Sequence, residues 1–432
     1  MSASHSSTPH TKPPTKGPRI LITRLSAHGD VIQTLPLLGL LRQHCPNAYI
    51  GWVVEKNAAP LLEGHPDIHQ IHISHRKSWF SQLKQNPLSF FTIAQEAWTF
   101  FKGIRRQQYD ISIDVQGLFK SAIIPFLAII PIRLGYDKTR EMGSLFYTDK
   151  LNYHDLTNPS LPTTIKFSEA VGHPKISNFK PLKHVEALKQ NLPYPIPTLP
   201  RQQKERLRVL LETSPPPLKG QPTIAIAPAT MWPSKQWPQA HWKALLEKLV
   251  LHPVNIIVIG SPDDAKTFQS IFPAYQGNHQ AHMLNLMGKT QIQDLYELFQ
   301  HVDIMIGPDS APMHIANAVA CNTSSDNKNN RRETKPYIMA LFGPTGPQRT
   351  GPIGCSGETL RVEPQLPCQP CFKRRCPISE ADTAPANSPT KSKTENHMAC
   401  QTNLSPDTVY QAICNQLKTQ EENRQQKVST GE

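Results

Sequence analysis

The chain has no apolar run long enough to cross a bilayer and no apolar segment at its start. Its longest candidate, residues 122–132, is interrupted by Pro125 and falls well short of the roughly 20 apolar residues that a spanning helix needs. We predict a buried helix there. Residues 1–17 are polar and rich in proline, which is typical of a disordered extension and not of a secretory signal. These two absences predict a cytoplasmic protein.

Two signatures of nucleotide and nucleic-acid binding are also missing. No predicted strand is followed by GxGxxG, which argues against a dinucleotide-dependent dehydrogenase. Neither an RNP-like aromatic pattern nor zinc-finger spacing is present, so nucleic-acid recognition is a minor alternative, although 46 Lys and Arg residues face 33 Asp and Glu residues. The surplus of 13 positive charges suits an anionic lipid or a phosphorylated sugar as well. Charge alone does not choose among these ligands.

With 432 residues the chain is too long for one ordinary core, so two domains are expected. Short apolar strands alternate with helical patterns in both halves, as in doubly wound parallel α/β domains. We predict domains at 18–190 and 223–432, joined by a Pro-rich linker at 191–222. Polar segments at 322–335 and 378–396 have the composition of surface insertions. The predicted strands are 19–23, 49–54, 68–73, 111–115, 223–227, 255–259, 282–286, 303–306 and 337–341.

Two glycine-containing loops in the second half predict a site for an anionic ligand. In the segment GPDSAPMH, the Gly-Pro pair ends a predicted strand, and Asp309 or Ser310 can cap the helix that follows. Free N–H groups at a helix N-terminus attract phosphate, and His314 falls one turn into that helix. In the segment FGPTGP, Gly343 allows the backbone, and with it Thr345, to approach a ligand closely. Two such loops suit the diphosphate of a nucleotide-sugar donor.

These loops belong to a wider pattern. GPDSAPMH and LFGPTGP, preceded by ILITRLSAHGDVIQTLPLLGLL, DVQGLFKSA and APATMWPSKQWPQAHW, resemble glycosyltransferase family 9, the ADP-heptose:lipopolysaccharide heptosyltransferases. The resemblance implies a GT-B glycosyltransferase, in which two Rossmann-like doubly wound domains face a central cleft, the first for the acceptor and the second for ADP-heptose. It also implies inverting transfer in lipopolysaccharide inner-core synthesis, peripheral to the cytoplasmic face of the inner membrane, with no required cofactor.

The choice of acceptor follows from shorter segments. WVVE, RKSWF and TREMGSLFY are most similar to the members that transfer heptose from ADP-L-glycero-D-manno-heptose to the Kdo of Kdo2-lipid A. A cysteine cluster near the C-terminus is more similar to the members that add the second heptose. Transfer of the first heptose is therefore expected, and transfer of the second heptose or of another NDP-sugar is the alternative. A noncatalytic sugar-nucleotide or lipopolysaccharide-binding protein would keep donor affinity without turnover.

The resemblance also assigns roles to single residues. Asp30, at the start of the first helix, corresponds to the general base, for which a helix cap is the alternative. Lys235, between two prolines, corresponds to the cation that stabilises the leaving diphosphate, with Thr230 nearby; a solvated lysine is the alternative.

The remaining assignments concern the two substrates. Asp309 is expected to face the sugar or diphosphate, with Ser310 donating to a phosphate and His314 beneath it; helix capping and an imidazole bonded within the fold are the alternatives. The other donor-site candidates are Lys289 and Thr290 beside the adenine, Asp263 or Asp264 at the ribose, and Gly343 and Thr345 in the second loop. Candidates for Kdo carboxylates or lipid A phosphates are Arg76, Lys77, Lys120 and Arg140.

An aromatic and basic segment at 76–106 permits two interpretations. An interfacial amphipathic region would give a lipid acceptor the surface access that it requires. A core helix with a solvated basic face is the alternative, because an aromatic stripe at helical spacing more often packs inside. The sequence weighs the two equally.

Four of the eight cysteines follow the spacing C-x2-C-x4-C with a distant fourth thiol. They are Cys368, Cys371, Cys376 and Cys400. Four thiolates allow a structural zinc ion. However, the CxxC pair occurs once only and three basic residues lie inside the cluster, so free thiols are the favoured interpretation.

Overall fold

A computed structural model describes residues 17–151, 194–212, 218–271, 280–322, 335–378 and 397–430. They form two six-stranded sheets, one in each half of the chain, and every strand pair in both is parallel. Helices separate successive strands, as crossover connections between parallel strands require. The predicted fold class is confirmed. The N-terminal extension before residue 17 and nearly all of both predicted insertions lie outside the described residues.

The N-terminal sheet has the strand order β3-β2-β1-β4-β5-β6. Its central strand is an apolar run, RILIT, whose Ile20, Leu21 and Ile22 are fully buried because helices cover both faces. The strands are β1 (Arg19–Thr23), β2 (Tyr49–Glu55), β3 (Gln70–Ser74), β4 (Ile111–Asp114), β5 (Ile132–Tyr136) and β6 (Asp149–Leu151). The helices are α1 (His28–Ile32), α2 (Leu35–His44), α3 (Arg76–Gln85), α4 (Phe90–Arg106) and α5 (Phe119–Leu127).

The C-terminal sheet repeats this arrangement with the order β12-β11-β10-β7-β8-β9. Its strands are β7 (Thr223–Ile226), β8 (Asn255–Val258), β9 (His282–Asn285), β10 (Ile304–Pro308), β11 (Tyr337–Leu341) and β12 (Gly357–Leu360). The linker helix α6 (Arg201–Leu211) precedes it, and the other helices are α7 (Gln239–Leu249), α8 (Pro262–Thr267), α9 (Leu295–Leu298), α10 (Ala311–Ala320), α11 (Pro347–Thr350), α12 (Ala399–Thr402) and α13 (Pro406–Thr430).

The linker is packed against both halves. Next to the N-terminal sheet, His65 contacts the Pro195 carbonyl at 3.1 Å, and Tyr194 is buried. On the other side, α6 reaches the C-terminal domain, where Gln203 donates to the buried carboxylate of Asp294 at 3.0 Å. These contacts restrict the relative positions of the two domains. The boundary at 191–222 stays a prediction.

The structure differs from the sequence expectations in three respects. Strand β10 continues through Pro308, which pairs with Leu341, whereas the Gly-Pro pair was predicted to end it. Strands β5, β6 and β12 were not predicted. The helix predicted over 122–132 is shorter, and it is buried on one face only, because Phe126 and Leu127 at its end are exposed. No helix in the described part of the chain is both long and apolar enough to cross a bilayer.

Candidate active site

The candidate site lies where the strand order of each sheet reverses. These switch points are between β1 and β4 in the first sheet and between β7 and β10 in the second. Open α/β sheets bind ligands outside the carboxyl ends of strands at such points. The segment after β1 carries Asp30, the segment after β7 carries Lys235, and Asp309 directly follows β10. The fold therefore places the predicted base and two predicted donor residues at the two switch points.

Lys235 and Asp309 form a buried ion pair across these segments. The lysine Nζ lies 2.7 Å from Asp309 Oδ2 and 3.2 Å from the Asp309 carbonyl oxygen. The ammonium also lies 4.8 Å from the ring centre of Trp232, within reach of a cation–π interaction. An ammonium has three donors, so one remains for a phosphate oxygen. A freely solvated lysine, the alternative from sequence, does not describe this side chain.

Asp309 is the centre of a network of hydrogen bonds and ion pairs on the donor side, and we call this network the donor hub. Its Oδ2 also accepts hydrogen bonds from Thr345 at 2.8 Å and Thr350 at 3.1 Å, and its Oδ1 lies 3.2 Å from His314 Nε2. Burial alone would raise the pKa of Asp309, but the hydrogen bond from His314 and the charge of Lys235 outweigh it and hold that pKa well below its usual range. The carboxylate therefore stays ionised and joins both predicted phosphate loops.

Ser310 does not play the capping role that its position suggests. It is the N-cap residue of α10, but its side chain makes no capping hydrogen bond. Its hydroxyl is buried and has no hydrogen-bond partner among the described residues. The hydroxyl and the first N–H groups of a ten-residue helix are therefore left to bind an anion. Asp309 does not cap the helix either, because its carboxylate binds the groups named above.

Asp30 is held from one side. Its Oδ2 forms a 2.8 Å ion pair with Arg24 and accepts a 3.2 Å hydrogen bond from the Ala27 N–H. Arg24 is itself buried and donates to the Val115 carbonyl at 2.8 Å, which ties it to the segment after β4. Both contacts of the aspartate use the same oxygen, while 43% of its side chain is exposed. Asp30 thus stabilises the start of α1, and it keeps a carboxylate oxygen available for proton transfer.

His314, in the C-terminal domain, contacts the N-terminal domain at α1. A methyl group added at Gly29 would lie 2.7 Å from the His314 ring, so only a glycine allows this approach. The Gln33 side-chain amide lies 3.3 Å from His314 Nδ1. A proton on Nε2 can then be donated to Asp309 while Nδ1 accepts from Gln33. The helix of the predicted base is thereby connected to the donor hub. Sequence reasoning identified His314 but missed Gln33, Arg24 and Thr350.

Comparisons with known proteins agree with this architecture. The family model of glycosyltransferase family 9 (heptosyltransferase) matches residues 97–381. The chain belongs to glycosyltransferase family 9. It is therefore an enzyme that transfers heptose, which removes the dehydrogenase and noncatalytic alternatives. The N-terminal β1 segment with Asp30 lies outside the matched range, but longer alignments include most of the chain.

Relatives of two kinds are found. Lipopolysaccharide heptosyltransferase 1 of Pseudomonas aeruginosa is 26% identical over 363 residues, which cover 83% of this chain and 87% of the relative. Lipopolysaccharide heptosyltransferase 2 of Salmonella typhimurium is 24% identical over 346 residues, covering 80% and 88%. The solved structure of Escherichia coli ADP-heptose lipopolysaccharide heptosyltransferase II superposes with a TM-score of 0.64 at 20% identity, covering 93% of this chain and 99% of that one. E. coli heptosyltransferase WaaC with ADP gives a TM-score of 0.63 at 20% identity, covering 92% and 99%.

The residues predicted to contact the adenine and the ribose of the donor lie on neighbouring loops after β8 and β9. The Gly288 N–H donates to the Gly260 carbonyl at 2.9 Å, which joins the loops of Asp263 and Lys289. Asp264 completes the capping box of α8 with the N-cap residue Ser261, because its carboxylate accepts from the Ser261 N–H and hydroxyl at 2.7 Å each. Asp263 is almost fully exposed, so it is the freer of the two candidates for ribose. Thr230 and Thr290 are half-buried in the loops beside Lys235 and Lys289 respectively.

The predicted acceptor residues are more dispersed. Arg76 and Lys77 both form ion pairs with the buried Glu55, at 3.1 Å and 2.5 Å, at the start of α3. Lys120 lies half-buried in the first turn of α5, after the β4 segment that contacts Arg24. Arg140 begins the 3-10 helix Arg140–Phe146, and its side chain lies outside the described set. Lys120 follows β4 and Asp30 follows β1, and these two strands flank the switch point.

The segment with the first three clustered cysteines lies beside the donor loops. The Ser234 hydroxyl donates to the Lys373 carbonyl at 2.6 Å, and the Phe372 N–H donates to the Pro344 carbonyl at 2.9 Å. Burial, together with the nearby thiols of Cys368, Cys376 and Cys371, raises the pKa of Cys400 to about 12. The thiols therefore lie close to one another, although no three His, Cys, Asp or Glu side chains in the described ranges are already arranged as a metal site.

Proposed function

We propose that this enzyme transfers heptose from ADP-L-glycero-D-manno-heptose to the Kdo of Kdo2-lipid A, with inversion at the anomeric carbon. The observation that carries the proposal is the pairing of an exposed carboxylate, Asp30, with an anion-binding centre across the cleft. The contact between Gly29 and His314 joins the two sides of the cleft, so Asp30 and the anion-binding centre can act on one pair of substrates.

In the proposed reaction, Asp30 takes the proton from the acceptor hydroxyl as its oxygen attacks the anomeric carbon. The bond from that carbon to the diphosphate oxygen breaks, and ADP leaves from the opposite face. Negative charge develops on the diphosphate, where the third donor of Lys235, the Ser310 hydroxyl and the start of α10 can stabilise it. These groups are preorganised, because Lys235 is fixed by Asp309 before the donor arrives.

The donor orientation follows from the same loops. With the diphosphate at α10, the nucleotide extends toward the loops after β8 and β9, where we assign Asp263 to the ribose and Lys289 with Thr290 to the adenine side. Thr345 and Gly343 belong to the second phosphate loop, and Thr345 is already bonded to Asp309. The sugar is then directed toward the cleft and Asp30.

The acceptor is assigned to a lipid-facing surface of the N-terminal domain at the cytoplasmic face of the inner membrane. Helix α4 buries only Ile104, and Phe91 and Trp98 are 80% and 61% exposed, which favours the interfacial interpretation over the core one. Arg105 lies over the Trp98 ring and donates to the Leu127 carbonyl at 2.7 Å. The exposed aromatic face therefore continues onto the end of α5. Exposed cations of α4 border it, as an anionic bilayer surface requires.

The reaction is tested by incubating the purified chain with ADP-L-glycero-D-manno-heptose and Kdo2-lipid A and measuring product mass. Gain of one heptose supports the proposal. A parallel reaction with Kdo2-lipid A that already carries one heptose tests the second-heptose alternative, which the relative from Salmonella typhimurium and the cysteine cluster favour. Transfer to the heptosylated acceptor alone would replace the first-heptose assignment with the second. Transfer to neither would contradict both.

The lipid surface is tested by co-sedimentation with vesicles. We expect binding to vesicles that contain phosphatidylglycerol, and at least about tenfold weaker binding of the double variant Phe91→Ser/Trp98→Ser, because two apolar side chains no longer enter the bilayer. Leu251→Ser is the control, since Leu251 is an apolar residue of the C-terminal domain whose side chain is 64% exposed. Equal binding of the double variant and the control would contradict this surface.

A further inference from the structure

One cavity of the C-terminal domain is lined by all four clustered cysteines. Cys368, Cys371, Cys376 and Cys400 line a small cavity of about 20 Å³ beside Ser234 and Pro344. The first three come from one segment, and Cys400 comes from α12, after the insertion. Packing alone does not require thiols from two separate segments to meet at one cavity. Small apolar residues would fill the cavity without introducing reactive groups.

The arrangement suits a thiophilic metal better than a disulfide framework. All four cysteines are free, and four thiolates in a tetrahedron are the usual ligands of structural zinc. The side chains face one cavity without yet converging on a point, so rotation about their Cα–Cβ bonds is the movement that binding would need. Cys368 is exposed, which gives an ion a path of entry.

The local charge also fits such a site. Four thiolates and one divalent cation would leave a net negative centre, which needs nearby positive charge. The segment between Cys371 and Cys376 contains Lys373, Arg374 and Arg375, all exposed. In the sequence these cations argue against a metal, but beside a metal centre of net negative charge they would supply the positive charge that offsets it.

The cysteine segment forms hydrogen bonds with both donor loops. The Ser234 N–H donates to the Arg374 carbonyl at 3.3 Å, and the Gln369 side chain donates to the Gly343 carbonyl at 2.7 Å. From α12, Gln401 donates to the Ser234 carbonyl at 3.3 Å. A metal that joined this segment to α12 would therefore fix the loops of Lys235 and Thr345 together.

We propose that Cys368, Cys371, Cys376 and Cys400 bind one structural zinc ion, and that this ion holds the two phosphate loops in place. Binding replaces the thiol protons with the metal and releases them to solvent. The second part of this proposal rests on the proposed donor site, whereas the first part does not.

The metal site is tested on the full chain, reduced and stripped of metal, by adding Co²⁺ as a spectroscopic probe. We expect about one equivalent to bind with thiolate-to-cobalt charge-transfer absorption, and Zn²⁺ to displace it. Cys368→Ser and Cys371→Ser should lose most of that absorption, while Cys414→Ser, outside the cavity, should keep it. Because Cys368 is exposed, its replacement should not disturb the core. Absence of the absorption with fully reduced thiols, or equal absorption in Cys368→Ser, would overturn the site.

The link to the donor loops is measured separately. Calorimetric titration of ADP into the zinc-loaded and metal-stripped chain should show about fivefold or greater weakening without zinc. Zinc binding with unchanged ADP affinity would refute the role of zinc in holding the phosphate loops, but it would still support the metal site. Zinc binding without any ADP affinity would instead count against the proposed donor site.

Discussion

Asp30 and Asp309 occupy equivalent places in the two sheets but have opposite environments. Each follows a central strand at a switch point. The Asp30 side chain is 43% exposed, and its contacts with Arg24 and the Ala27 N–H use one oxygen. The Asp309 side chain is 4% exposed, and its two oxygens contact four side chains. The same residue type at the same topological position therefore serves two different purposes.

This difference assigns the chemistry. A carboxylate whose pKa is held well below its usual range is a poor proton acceptor, so Asp309 is suited to fixing Lys235, Thr345 and Thr350. Asp30 has the solvent access that a substrate hydroxyl needs, and Arg24 fixes its orientation. If the two aspartates had the same role, the comparison would fail. The substitutions below test whether their roles differ.

The largest effect is expected for Asp30→Asn. Removal of a general base typically lowers rate by a factor of about 10² to 10⁴, and the neutral amide keeps the shape of the side chain. Turnover should fall by at least about 100-fold, while ADP affinity and the unfolding midpoint stay near those of the wild type. Heptose transfer is followed by product mass.

Asp407→Asn is the control for that substitution, because Asp407 is an exposed aspartate of the other domain that lies outside the proposed substrate sites. Its turnover should change far less than that of Asp30→Asn. An Asp30→Asn enzyme within tenfold of wild-type turnover would show that Asp30 is only a helix-start residue.

The second effect concerns stability. Lys235→Met leaves the Asp309 carboxylate buried without its cation, and we expect about 3 kcal/mol less stability for the C-terminal domain, the lower part of the range for breaking a buried pair, because Thr345, Thr350 and His314 remain. Lys266→Met, which breaks the exposed pair with Asp263, should cost under about 0.5 kcal/mol. Urea unfolding at neutral pH measures both.

The pH dependence of this pair has a definite sign. The folded-state pKa of Asp309 is depressed, so the stability that it contributes is present above the ordinary aspartate pKa and is lost only as pH falls through the folded value. The stability difference between the wild type and Asp309→Asn, which has no titratable group at this position, should therefore be constant from about pH 5 to pH 8. A difference that already shrinks in this range would mean that Asp309 titrates there and is not the permanently charged hub.

The sequence predicted the framework better than the contacts between distant side chains. Apolar strands, the glycine loops and the family motifs placed Asp30, Lys235 and Asp309 after strands, as the structure has them, because these signals are local. The weak strands β6 and β12 were missed since they are short and lie at sheet edges. The capping interpretation of Ser310 failed because tertiary contacts override a local preference.

Gln33 shows why the rest was not predictable. Its partner His314 lies 281 residues away in the chain, in the other domain, and no short motif encodes that pairing. A glutamine that ends a helix is otherwise unremarkable in sequence. Only the approach of α1 to α10, which depends on the small volume of Gly29, brings the two side chains together.

Gln33→Ala is the smallest expected effect and the sharpest test of how the two aspartates are connected. Loss of one hydrogen bond of about 1 kcal/mol should lower kcat by about three- to tenfold, because His314 and the helix of Asp30 lose their common contact. A purely structural role would change stability without changing kcat. Gln43→Ala, on the exposed face of α2, controls for helix effects. Wild-type kcat in Gln33→Ala would mean that the exposed base and the buried hub act independently, each positioned by its own domain.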